Sequence, residues 1–305
     1  MGYKDHKGKL FEKFLIPPFS VLDTKMKYWQ EHNNYWNKYN IQSELGRTTS
    51  GNNSFEDLVT NPRNAKSNKI ITKKGGKKSI FDPFLTELMY KWFCPEQGKI
   101  LDPFAGGSVR GIVAGALGYK YTGIELRKEQ VRANDKQIDI KKWKGEYPWW
   151  VVGDSMNIDK LTYDTFDMIF SSPPYFDLEI YSNEKGELSA MKTYEEFLEN
   201  YKIIINKCVN KLENNRFAVF VVSDIRDKNG FYRNFVGDTK TAFIDAGMKL
   251  YNDIVFLTSI GSLPLRCGIP FAKNRKVGRA HQNVLVFYKG DVKEIRNNFK
   301  EKIKL

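Results

Sequence analysis

From about residue 81 to residue 290, short apolar runs alternate with stretches of helical periodicity, and this alternation most restricts the folds open to the chain. Strands joined through helices run parallel, and the helices then cover both faces of the sheet. The spacing predicts helices over Phe84–Phe93, Ile112–Leu117, Lys128–Ile140, Tyr194–Leu212 and Phe235–Ala246. It predicts strands over Lys99–Asp102, Tyr121–Leu126, Trp149–Gly153, Phe166–Phe170, Phe217–Val222, Lys249–Thr258 and Asn283–Tyr288. The expectation is a doubly wound α/β fold with a mostly parallel, seven-stranded sheet. The last two strands are joined by the basic, Gly/Pro-containing stretch Ile260–Gln282, which carries no helical pattern. That predicts an antiparallel edge hairpin with a projecting loop.

In open sheets of this kind ligands bind beyond the carboxyl ends of the strands. The first strand runs into Asp102-Pro103-Phe104-Ala105-Gly106-Gly107-Ser108, a glycine-rich turn that opens a helix. Glycine lets a ligand approach the backbone, and a helix N-terminus offers free N–H groups to a carboxylate. Glu125 and Leu126 end the second strand, with Glu125 18 residues after Gly107, where a carboxylate can accept from both hydroxyls of a ribose. Asp154 and Ser155 end the third, where Asp154 can accept from an adenine amino group. The pattern predicts a Rossmann-like site for an adenosine-containing cofactor. The pyrophosphate fingerprint GxGxxG is absent, and the acidic residue that opens the turn suits an ammonium-bearing cofactor better.

The fourth strand ends in Ser171-Ser172-Pro173-Pro174-Tyr175. Consecutive prolines lock φ, and Pro174 offers no N–H to its neighbours, so the Pro173 carbonyl can face a ligand. A base amine is a weak nucleophile because its lone pair is delocalised into the ring. Acceptors at Ser172 Oγ and the Pro173 carbonyl could hold its hydrogens while the nitrogen becomes tetrahedral, with Tyr175 stacking on an extruded base.

These two motifs together resemble the amino-group DNA methyltransferases of the N4-cytosine and N6-adenine type. Asp102-Pro103-Phe104-Ala105-Gly106 resembles that family's cofactor motif, and Ser172-Pro173-Pro174-Tyr175 its catalytic tetrapeptide. Phe81-Asp82-Pro83 and the helix after it resemble the segment that lies against the cofactor's methionine moiety. The resemblance implies S-adenosyl-L-methionine as cofactor, double-stranded DNA as partner, base flipping and, in some relatives, a restriction–modification role. A tetrapeptide that opens with Ser inclines toward cytosine N4 over adenine N6. An RNA or small-molecule methyltransferase and a silent nucleic-acid-binding homologue stay open. The chain departs from the family pattern at Gly106-Gly107-Ser108-Val109 followed by Arg110, where Gly-Ser-Gly-Thr is usual.

Charge adds a partner. The 305 residues carry a net charge of +13. Residues 1–80 hold 15 Lys/Arg against 7 Asp/Glu and residues 260–305 hold 11 against 3, while residues 81–259 hold 23 against 26. Two basic ends around a near-neutral centre suit phosphate contact, and Arg266, Lys273, Arg275, Lys276 and Arg279 are the candidate DNA-binding residues. The expected organisation is a basic extension over 1–80 that packs on the core or on DNA, its aromatic cluster Tyr28, Trp29, Tyr35, Trp36 and Tyr39 more suited to covering the core than to clamping bases. A catalytic core follows over 81–259, and a basic loop, last strand and tail over 260–305 complete the same domain. Residues 73–78 read as a flexible basic linker. Three scattered cysteines, with no CxxC pair, predict neither disulfide nor metal site. No run of 18 apolar residues occurs, so a cytoplasmic protein without a membrane span is expected, with a homodimer among the assemblies the sequence allows.

Overall fold

The structure is a computed structural model that describes residues 9–39, 41, 81–176, 186–258, 260–261 and 263–299. The basic stretch 73–78 lies outside the described residues. Among the described residues eight strands form one sheet: β1 (Val21–Asp23), β2 (Lys99–Asp102), β3 (Lys120–Glu125), β4 (Trp149–Val152), β5 (Phe166–Ser171), β6 (Leu212–Val222), β7 (Lys249–Leu257) and β8 (His281–Lys289). Their order is β1-β7-β8-β6-β5-β2-β3-β4. β8 runs antiparallel to both its neighbours, and every other pairing is parallel.

Three expectations are corrected here. The sheet has eight strands, because Val21–Asp23 from the amino-terminal stretch pairs beside β7 in register with Val255–Leu257. The β7/β8 pair is therefore not the bare edge. The stretch after β7 is also not all loop: Leu263–Asn274 is a helix. Pro264 sits in its first turn, where a missing N–H costs nothing, but Pro270 lies inside it and Gly268 weakens it. Those residues erased the helical signal in the sequence. The helix expected over Lys128–Ile140 stops at Asp135.

The helices that position the site carry their start signals in the chain. In α1 (Lys9–Phe14) and α2 (Lys27–Trp36) the amino-terminal stretch returns to the core, with Trp29 and Trp36 buried. At α3 (Pro83–Phe93), Asp82 caps the helix by accepting from the Leu85 N–H at 2.9 Å, and proline occupies the first turn. Then come α4 (Val109–Ala116), α5 (Lys128–Asp135) and α6 (Ile158–Leu161). At α7 (Tyr194–Lys211), Thr193 accepts from the Glu196 N–H, and glutamates fill the positive end of the helix dipole. The helices α8 (Phe235–Asp245), α9 (Leu263–Asn274) and α10 (Ile295–Asn298) complete the set.

Alternation along the central strands sends neighbours to opposite faces. Ile100, Met168, Phe170, Phe217 and Val219 join α2, α3 and α4 in one apolar cluster. Leu101, Ile169, Ala218 and Phe220 join α7 and α8 in the other. The strand order turns over between β2 and β5, and a crevice lies beyond their carboxyl ends. No helix among the described residues is long and apolar enough to cross a membrane.

Candidate active site

A cavity of about 580 Å³ opens at that crevice. Both halves of the expected site reach it: Pro103, Phe104, Gly106 and Gly107 from the turn after β2, and Ser172, Pro173, Pro174 and Tyr175 from the loop after β5. Phe81, Asp82, Glu125, Leu126, Asp154 and Ser155 line the same space.

The turn after β2 is held from below. The Ala105 N–H donates to the Ile124 carbonyl at 2.9 Å, and Asn134 Nδ2 donates to the Gly106 carbonyl at 2.8 Å. Gly106 has φ +51°, and a Cβ placed there would meet nothing within 4 Å. Glycine is required for the backbone conformation, and its outer face is open. The Gly106 N–H donates to Glu125 Oε2 at 3.0 Å, while Glu125 Oε1 accepts from the Arg127 N–H at 2.9 Å. Each carboxylate oxygen keeps a lone pair for a hydroxyl in the cavity. Burial pushes the Glu125 carboxyl above its ordinary range, against the opposing pull of the Arg127 N–H, the Arg127 charge and the Gly106 N–H. Asp154 Oδ1 accepts from the Met156 N–H at 2.9 Å, which fixes the carboxylate at the end of β4.

Four of the residues read as cofactor ligands do not line the cavity: Pro83, Asp102, Ala105 and Ser108. Pro83 and Ala105 are structural neighbours of residues that do. Ser108 Oγ donates to Gln137 Oε1 at 2.9 Å. Asp102 is the instructive case, because it is fully buried and its oxygens are taken. Oδ1 accepts from Ser171 Oγ at 2.6 Å and the Phe104 N–H at 3.2 Å; Oδ2 accepts from Arg110 Nε at 2.6 Å and Tyr121 Oη at 2.7 Å. An acidic residue expected to meet a cofactor ammonium meets the chain's own guanidinium instead.

In the tetrapeptide, Ser172 Oγ donates its proton to the Val221 carbonyl at 3.1 Å, which leaves the oxygen's lone pairs as acceptors. The Tyr175 ring stands edge-on to Phe235 at 5.6 Å and is only 4% exposed. In this arrangement it walls the cavity, and a base stacked on it would need more of the ring than is open.

The chain's amino-terminal stretch also reaches the site, and nothing in its spacing signals that. Thr24, Lys25, Gln30 and Asn33 line the cavity. Asn33 Nδ2 and Trp29 Nε1 both donate to Asp82 Oδ2, at 3.0 and 2.9 Å. Burial raises the Asp82 carboxyl pKa despite these donors. Arg110, noticed in the sequence only as a departure from a pattern, is buried and lines the cavity as well.

Of the expected DNA-binding residues, Lys273, Arg275, Lys276 and Arg279 do not line the cavity, yet Thr258 and Gln282, which flank the segment carrying them, do. Lys273 and Arg275 are exposed, and the Arg275 guanidinium lies 5.4 Å from the centre of the Phe271 ring. Lys276 is half-buried. Arg279 is committed within the protein: it donates to the His281 carbonyl and Asn283 Oδ1, and lies 3.6 Å from Asp224. Arg266 belongs to α9, and its side chain lies outside the described residues. Among the described residues no cluster of His, Cys, Asp and Glu could hold a metal ion.

Fold and cavity together define a doubly wound α/β protein whose glycine turn and proline-locked loop face one cavity at the switch point. Residues 166–305 match a family model described as DNA methylase, of the N6/N4 type. A curated relative, the Type II methyltransferase M2.LlaDCHI of Lactococcus lactis subsp. cremoris, is 27% identical over 116 residues, or 38% of this chain. The matched segment spans 42% of that relative. Both findings support an amino-group DNA methyltransferase family for the chain. Among solved structures, TrmN from Thermus thermophilus aligns with a TM-score of 0.45 at 12% identity, covering 68% of this chain and 49% of its own. A methyltransferase from Pyrococcus furiosus aligns with a TM-score of 0.45 at 18% identity, covering 74% and 94%. Likeness at that level says nothing of substrate.

Proposed function

We propose that this chain transfers a methyl group from S-adenosyl-L-methionine to an exocyclic amino group of a base in double-stranded DNA, with cytosine N4 favoured over adenine N6. One observation carries the reading: the turn 103–107 and the loop 172–175 line a single cavity. The family match over the carboxyl-terminal half supports DNA as the substrate class.

The residues present fit the cofactor. Gly106 leaves its outer face open, Glu125 offers carboxylate lone pairs beside that turn, and Asp154 stands fixed at the next strand end. Glu125 would hold the ribose hydroxyls and Asp154 the adenine amino group. When bound, the cofactor supplies a methyl group on a sulfonium.

The loop's part is to prepare the base nitrogen. With its own proton given to Val221, Ser172 Oγ can only accept from the amine, and the Pro173 carbonyl accepts beside it. Two acceptors on the amine hydrogens draw the nitrogen toward tetrahedral geometry and free its lone pair for in-line attack. Pro173 and Pro174 keep those acceptors at fixed φ, so orientation is settled before the base arrives. Tyr175 closes the wall behind them.

The basic segment that leaves and re-enters the fold at Thr258 and Gln282 is suited to hold the duplex over the cavity mouth. Incubating the protein with methyl-labelled cofactor and duplex DNA, then digesting to nucleosides, tests the proposal. Label on N4-methylcytosine is the expected result. Label on N6-methyladenine would reverse the base preference, label on RNA alone would move the substrate, and no transfer to any nucleic acid would overturn the reading.

A further inference from the structure

Arg110 enters the site from the second position of α4 and points back under the turn it follows. It is 6% exposed, and what remains open lines the cavity. Its fork is fixed on two sides. Nε donates to Asp102 Oδ2 at 2.6 Å, and Nη2 donates to the carbonyls of Phe104 and Ala105 at 2.6 and 3.0 Å. The guanidinium also lies 4.7 Å from the centre of the Phe81 ring, which fixes its plane. Among the described residues Nη1 has no hydrogen-bond partner.

A guanidinium donor held this rigidly and this nearly buried is matched by an oxyanion, and by a carboxylate in particular. The surroundings order such a ligand from end to end. Asp154 and Glu125 would take its nucleoside, and Arg110, bonded to the Phe104 and Ala105 carbonyls of the turn, lines the same cavity. Asp102 cancels the charge of Arg110 without covering Nη1, so the pair is neutral and stable when the cavity holds no ligand.

We propose that Arg110, through Nη1, binds the carboxylate of the cofactor's amino-acid end, with Asp102 as the positioning residue that aims it. This deepens the reading of the cavity as a site for S-adenosylmethionine and rests on it. It also assigns a purpose to the one place where the turn departs from the family pattern. With the oxygens of Asp102 taken by the protein's own donors, the arginine offers the ligand a cation–carboxylate contact in place of an acid–ammonium one.

The test is binding, measured by calorimetry with two ligands that differ only in the carboxylate: S-adenosylmethionine and its decarboxylated form. The unaltered protein should prefer the carboxylate-bearing ligand by about 10- to 100-fold, the range of a hydrogen bond to a charged group. Replacing the pair together, Asp102→Asn with Arg110→Met, avoids leaving a lone buried carboxylate. In that variant the preference should fall to about 3-fold or less, while affinity for the decarboxylated ligand changes little. Arg110→Lys, which keeps the charge and loses the fork, should fall between. Equal affinity of the unaltered protein for the two ligands overturns the proposal without any variant. So does a double variant that keeps the full preference, because the backbone N–H groups at the start of α4 would then hold the carboxylate. If the unaltered protein binds neither ligand, the cofactor reading itself fails.

Discussion

Ser171 Oγ donates to Asp102 Oδ1 at 2.6 Å, so the last residue of β5 is tied to the last residue of β2 across the switch point. Both residues are fully buried. The bond fastens the start of the loop 172–175 to the start of the turn 103–107, and with it the separation of the two walls of the cavity.

Ser171→Ala removes that bond and leaves Asp102 with three donors. The expected cost is about 1.5–3 kcal/mol of stability, the range for a hydrogen bond to a charged group. Urea unfolding at unchanged m-value measures it, and an unchanged midpoint would show that the two walls are held by packing alone.

Ser172→Ala removes an acceptor that acts on the base amine. A drop in kcat on the order of 10²-fold is expected, as for the loss of one preorganised hydrogen-bonding group, with cofactor affinity unchanged. Single-turnover transfer measures it. A loss confined to cofactor binding would reassign Ser172 to the other half of the site.

Glu125 gives the pH dependence two opposite signs. Burial raises its carboxyl pKa in the folded protein, so the fold holds this proton more tightly than the unfolded chain does. Its contribution to stability is complete below the unfolded pKa and is lost as pH rises through the folded one. Ribose binding needs the carboxylate, so cofactor affinity should rise over the same window, as pH climbs from the ordinary glutamate range through the raised folded value. Glu125→Gln should flatten both curves and weaken cofactor binding about 10-fold at neutral pH, for the loss of about one charge-assisted hydrogen bond. Thermal unfolding and calorimetry across that range would show both slopes; slopes that persist in the variant belong to another group.

Trp36 Nε1 donates to Glu87 Oε2 at 2.8 Å inside the protein, pinning the amino-terminal helix α2 to α3. Trp36→Phe strands that carboxylate and should cost about 1–3 kcal/mol. Adding Glu87→Gln should recover part of the loss, a coupling that a double-mutant cycle reads directly. Additive effects would mean that the helix is held by ring packing only.

The exposed cations Lys273 and Arg275 are free to meet phosphates, whereas Arg279 is engaged with Asp224, His281 and Asn283. Alanine at Lys273 and Arg275 together should lower the slope of log K against log salt by about 0.9 per lost contact. Alanine at Arg279 should leave that slope in place and destabilise the β7–β8 end of the fold. The reverse pattern would move the DNA contact to Arg279.

Much of the fold was legible because strand and helix periods are local. Ile100 and Leu101, or Phe217 through Phe220, show the alternation of a strand buried on both faces, and Asp82-Pro83 and Thr193-Tyr194-Glu195-Glu196 announce helix starts. The helix α9 was not legible, because Pro264, Gly268 and Pro270 argue against it locally and only Leu263 is buried among its large apolar residues with described side chains, while Leu265, Ile269 and Phe271 are exposed. Strand β1 was not legible either: three residues carry no period, and only the edge of β7 gives them a partner.

The sequence by itself determined the doubly wound order, the turn at 103–107, the proline-locked loop at 172–175 and the carboxylates at Glu125 and Asp154, since each is a local pattern at a strand end. The tertiary structure decided which of those residues face the cavity. It turned Asp102 inward onto Arg110, Tyr121 and Ser171, brought Lys25, Gln30 and Asn33 in from more than 45 residues earlier in the chain than Phe81, and engaged Arg279 elsewhere. Orientation and long-range partnership depend on which charges and donors meet once the sheet closes, and no spacing along the chain encodes that.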